Sequence, residues 1–131
     1  MSQPDWLSKV STWRKAYEAM IETPYRYRVE KSAIMYRISS RMTSVAGEWQ
    51  YIGNGIHCIT MSGHMQEIES KETFGHELCH LASWVCFGKT GHGKIWQRFM
   101  TMLNLRPQKY HTIPLSARSA ICGIMEKLKE K

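Results

Sequence analysis

The chain has 131 residues and a formal net charge of +7, with 18 Lys and Arg against 11 Asp and Glu. That length suits one domain, residues 1–131, and 43% hydrophobic residues can build its core. No apolar run approaches the roughly eighteen residues of a membrane span. Met1–Trp6 lacks the basic start and apolar stretch of a signal peptide. The four cysteines, Cys58, Cys79, Cys86 and Cys122, form no CxxC pair. A monomer with reduced thiols is expected, with no membrane contact, in the cytoplasm or associated with a nucleoid or nucleus.

In chain order, Trp6, Val10, Trp13, Tyr17 and Met20 recur at helical spacing, which predicts a helix over 5–22 with Pro24 as its stop. Tyr25–Lys31 alternates tyrosine and arginine and reads as a half-exposed strand or a basic connector. Residues 34–39, 42–52 and 55–62 are rich in β-branched and aromatic side chains and read as three strands. Gly53-Asn54-Gly55 supplies a hairpin turn between the last two. His57 and His64 read as packing or surface histidines.

The next helix carries the chemistry. Ile68, Phe74, Leu78, Leu81, Ala82 and Val85 give it an apolar stripe, and Gly88 is its stop. Within it stands His76-Glu77-Leu78-Cys79-His80. Positions 76 and 80 lie one turn apart on one face, so two imidazoles can take two corners of a Zn²⁺. Glu77 leans over the same edge, within reach of a water as general base. Gly75, costly inside a helix, calls for a packing reason. Cys79 falls on another face and reads as core. Downstream of this helix no aspartate exists to complete the metal, because the only one is Asp5. The third ligand is therefore expected at His92, set between Gly91 and Gly93, in preference to His111 or Glu126.

Residues 92–104 read as another helix, with Ile95, Trp96, Phe99, Met100 and Leu103 inward and Lys94, Arg98 and Thr101 outward. Tyr110 and His111 follow as candidates to stabilise an oxyanion. A last amphipathic helix is expected after Pro114. From Leu78 to Met125 there are cations but no acid, and Arg26, Arg28, Lys31, Arg37 and Arg41 form a second basic cluster. Such a distribution points to an anionic partner, nucleic acid first, with Arg26, Arg28, Lys94 and Arg98 as candidate contacts. Single strands are favoured over duplex, since Tyr25, Tyr27 and Trp49 offer stacking surfaces and no recognition helix is evident.

These motifs carry a resemblance. His76-Glu77-Leu78-Cys79-His80, then Gly91-His92-Gly93-Lys94 and Trp96, resembles the SprT/Spartan family of zinc metalloproteases. Arg41-Met42-Thr43, Ala46-Gly47, Gly55 and Cys58-Ile59 are similar to the strand region of that family, so the likeness spans about 36–105. It implies an α+β, zincin-like fold: a short antiparallel three-stranded sheet on the zinc helix, with flanking helices. It implies one Zn²⁺ per chain on His76, His80 and His92, with Glu77 catalytic. It implies substrate bound along residues 55–61 as an edge strand. The substrates it implies are proteins associated with DNA or crosslinked to it. The tail Lys127–Lys131 carries no further zinc-binding module, so a minimal form is expected. The competing reading is a non-catalytic zinc-containing module that binds DNA or modulates a partner. A metallohydrolase acting on another bond is a third.

Overall fold

The computed structural model describes residues 3–107. A 3₁₀ turn at Asp5–Lys9 leads into α1 (Val10–Met20), then α2 (Thr23–Glu30), β1 (Ala33–Ser39), β2 (Gly47–Gly53), β3 (Ile56–Ser62), α3 (Glu67–Phe87) and α4 (Lys94–Met102). The result is an α+β arrangement of four helices and one small sheet. Among the described residues no helix is long and apolar enough to cross a membrane. Tyr110, His111, Glu126 and the helix expected after Pro114 lie outside the described residues.

The sheet is mixed, not antiparallel, with strand order β1-β3-β2. The hairpin makes β2 antiparallel to β3, as its turn demands, but β3 rather than β2 lies beside β1 and parallel to it. The connection through residues 40–46 makes this possible by crossing the end of β3. Ser62 N–H donates to Ala46 O at 2.9 Å, and Ser62 Oγ to Met42 O at 2.6 Å. Consecutive strands usually pair, so this insertion runs against the sequence expectation. It also moves the functional edge. Residues 55–61 belong to the central strand, hydrogen-bonded on both sides, and cannot add a substrate strand; β2 is an edge instead.

Tyr25–Lys31 forms neither strand nor connector but most of α2 and its C-cap, Lys31. Pro24 does not stop a helix there; it occupies the first turn of α2, where its fixed φ and missing N–H cost nothing. Tyr25 packs edge-on against Phe99, with ring centres 5.6 Å apart.

α3 is the centre of the molecule. Every residue from Thr73 to Ser83 is buried, so the helix is covered on all sides rather than along one stripe. Ile68, placed by periodicity in the apolar stripe, is instead 74% exposed, because the first turn projects beyond its neighbours. At the other end Gly88 adopts φ 65°, ψ 27°, the left-handed closure that glycine takes without strain. The sheet, α1, α2 and α4 all pack on α3. Trp6 Nε1 donates to Met65 O at 3.0 Å and Tyr17 Oη to Lys71 O at 2.9 Å, pinning the N-terminal helix to the chain leading into α3. Arg14 reaches the carbonyls of Val29 and Ser32 and joins α1 to the end of α2.

Gly75 has the packing reason its position called for. A Cβ there would meet Leu105 Cδ1 at 2.5 Å and the Tyr17 ring at 2.9 Å. Gly75→Ala gains helix propensity of about 1 kcal/mol. It must also displace a ring wedged between helices, and overpacking of that kind costs about 1–3 kcal/mol. The expected outcome is a net loss of stability in urea denaturation with an unchanged slope. A variant more stable than wild type would contradict the close approach.

Candidate metal centre

His76 and His80 stand one turn apart on the face of α3 that meets β2. The strand runs alongside the helix in matched steps. Gly47 lies over Thr73 and Glu77, the Trp49 ring stacks on His80 with centres 6.2 Å apart, and the Tyr51 ring meets Trp84 at 5.6 Å. Strand alternation puts 47, 49 and 51 on one face, while 77, 80/81 and 84 advance along the helix by about a turn per step. Gly47 permits the approach: a Cβ would meet Thr73 Cγ2 at 2.7 Å and the Thr60 carbonyl at 3.1 Å.

The chain leaves α3 through Gly88, passes Gly91 at φ 83°, and returns His92 to the same spot before α4 begins. One ligand atom from each of His76, His80 and His92 lies within 4.8 Å of the others, and these three are a group that could hold a metal ion. The ring centres are 5.1 Å (76–80), 5.5 Å (76–92) and 4.7 Å (80–92) apart. Trp96 is wedged against all three imidazoles, at 4.9 Å from His76, 5.5 Å from His80 and 4.6 Å from His92. Its Nε1 donates to the His76 carbonyl at 3.4 Å. Gln97 Nε2 donates to the His92 carbonyl at 3.1 Å and steadies the returning loop.

Glu77 is beside the group but not in it. Its side chain is 5% exposed, and Oε2 lies 4.0 Å from His76 Nε2. Burial, reinforced by the nearby negative charge of Glu48, pushes its carboxyl up to about 8. Burial, with His92 close by, holds His80 down to about 4, so this imidazole is neutral at pH 7 and its lone pair is available. Cys79 is fully inside the core, where burial pushes its thiol well up.

The family model of the SprT-like family matches residues 12–116. The chain belongs to the SprT-like family. No curated protein and no solved structure matches it.

In this SprT-like chain three of the four candidate nucleic-acid residues make contacts within the fold. Arg26 spends its guanidinium on the carbonyls of Ile21 (3.1 Å) and Ala19 (2.9 Å) at the end of α1. Arg28 Nη1 reaches Val85 O at 3.4 Å. Arg98 pairs with Glu22 at 3.4 Å and lies 5.5 Å over the Tyr25 ring. Lys94 is exposed at the start of α4, two residues after His92. The sequence reading missed Trp96, Trp49, Gly47 and Glu48 as parts of the site. Trp96 left one signal, since it stands four residues after His92 on the inward face of the helix that follows. The contacts of β2 left none, because they depend on which strand lies at the edge.

Three of the shifted groups give the ion-free chain a pH signature. Glu77 is raised from 4.5 to about 8, so the stability it contributes is full below pH 4.5 and is lost as pH rises toward 8. His80 is lowered from 6.5 to about 4, so its contribution is full above pH 6.5 and is lost as pH falls toward 4. His57, lowered by burial, acts in the same direction as His80. The effects oppose one another between pH 4.5 and 6.5, and of these three groups only Glu77 changes its contribution from 6.5 to 8. EDTA-treated protein should therefore lose thermal stability from pH 6.5 to 8, and Glu77→Gln should flatten that decline. An identical decline in both proteins would contradict a protonated, buried Glu77.

Proposed function

We propose that this SprT-like protein is a zinc-dependent peptidase acting on proteins bound or crosslinked to DNA. The observation that carries the reading is a buried carboxyl set against, but outside, a group of three convergent imidazoles. The residues fit the ion. Imidazole suits zinc, and tetrahedral Zn–N bonds of about 2.0–2.1 Å need nitrogens about 3.4 Å apart, a small contraction of the group. Three protein ligands leave a position open, which is the pattern of a catalytic rather than a structural site.

When bound there, zinc supplies a Lewis acid that makes water nucleophilic near neutral pH and polarises a carbonyl. The chain's own residues do the rest. The outer edge of β2 has no strand partner among the described residues, so it offers backbone groups to an extended peptide lying beside the three histidines. Glu77 takes a proton from the attacking water and returns it to the leaving amine. A cation held by the three imidazoles would favour the carboxylate form of Glu77, the form that accepts that proton. Trp96 and Trp49 hold the imidazoles against rotation and exclude bulk water. The DNA part of the proposal rests on the family resemblance and on the exposed cations of α4, Lys94 and Arg98.

Glu77→Gln should keep about one zinc per chain by elemental analysis while cleavage of a DNA-binding protein falls by about 10²–10⁴-fold. His92→Ala should lose most of the metal. Single-stranded DNA should stimulate wild-type cleavage, and the stimulation should fade as salt rises. Wild-type-like cleavage by Glu77→Gln would overturn the mechanism. A DNA effect indifferent to salt, or none, would overturn the substrate class.

A further inference from the structure

β2 and α3 continue side by side past the metal centre, with Trp49 on His80 and then Tyr51 on Trp84. The stripe of α3 that carries His76 and His80 reaches Trp84 one turn later, and β2 reaches Tyr51 beside it. A cleft of about 450 Å³ opens there, bounded also by Arg28 and Lys31 from the end of α2 and by His57 on the sheet side. No acid lines it.

We propose that this cleft is a substrate subsite that seats an acidic side chain about two residues from the bond presented at the three histidines; the proposal rests on the peptidase reading. The spacing follows from geometry. Trp84 lies about 6 Å along the helix from His80, and an extended peptide advances about 3.3 Å per residue. The donors follow from the contacts already made. Arg28 uses one N–H on Val85 O and keeps its others. The Tyr51 hydroxyl accepts from Gly55 N–H at 3.1 Å, which leaves its own proton to donate. Trp49 Nε1 donates to His57 Nδ1 at 3.1 Å, so neutral His57 carries its proton on Nε2, a buried atom with no hydrogen-bond partner among the described residues. Lys31 adds an ammonium at the rim. The aromatic rings favour a side chain over a nucleobase. Tyr51 already packs against both Trp84 and His57, at 5.6 and 5.0 Å, so its faces are engaged with neighbours rather than held open for stacking.

The test is a set of fluorogenic peptides in which Glu, Gln or Lys is scanned through the three positions on each side of the scissile bond. Wild type should prefer Glu over Lys at one of these positions by about tenfold in kcat/KM, chiefly through KM. Arg28→Glu/Lys31→Glu should reverse the preference, read as the ratio of kcat/KM for the Glu and Lys peptides within the same variant. Lys31→Glu alone, which leaves the Arg28–Val85 contact intact, should shift it part-way, so the result does not depend on the double variant folding. An unchanged profile in the properly folded variants overturns the subsite. So does loss of oligonucleotide binding with peptide preference untouched, which would make the cleft a nucleic-acid contact. If wild type cleaves no peptide, the peptidase reading fails, and fluorescence anisotropy of the labelled peptides decides the subsite separately. Tighter binding of the Glu peptide, reversed in the double variant, supports it; equal binding of Glu and Lys peptides overturns it.

Discussion

The structure depends on carrying polar side chains on a helix that is buried on every side. From Thr73 to Ser83, α3 has no solvent face, yet it bears two imidazoles and a carboxyl. Burying such groups is unfavourable unless they are neutral or partnered. The chain satisfies this by keeping His80 neutral and holding a proton on Glu77 in the ion-free state. It also surrounds the imidazoles with the rings of Trp96 and Trp49. Two glycines set how closely the cover can approach. Gly75 admits Tyr17 and Leu105 on one side, and Gly47 brings β2 down over Glu77 on the other.

Local signals in the sequence located the helices that matter. The spacing 76–80, the stop at Gly88 and the inward face of α4 are properties of a few neighbouring residues, and the structure places them as the pattern reads. Gly75 showed that something had to pack closely on α3, though not what. The sheet was less legible because its order is a long-range property. Nothing within residues 47–53 or 56–62 tells which strand pairs with β1, and the crossing at 40–46 is held by hydrogen bonds from Ser62 back to Met42 and Ala46. The α2 segment misled for a different reason. Its tyrosine–arginine alternation resembles a strand, but its arginines bond to helix-end carbonyls, an arrangement that needs the neighbouring helices to be in place.

Those same bonds change the meaning of the basic charge. A run of cations in sequence looks like a surface for an anion, yet Arg26 and Arg28 reach carbonyls at the ends of α1 and α3, where positive charge offsets the helix dipole. Net charge alone therefore does not locate an interface. What does discriminate is a cation with donors left over beside other unspent donors, as Arg28 and Lys31 stand beside the Tyr51 hydroxyl at the cleft.

The central claim is that three histidines, and no sulfur, hold one metal with a position left open. X-ray absorption at the zinc edge of the loaded protein tests it most directly. The account expects three imidazole shells at about 2.0–2.1 Å and one further light donor that exchanges with solvent. A sulfur shell near 2.3 Å would bring Cys79 or another thiol into the site, and a fourth imidazole would close it; either would contradict the account.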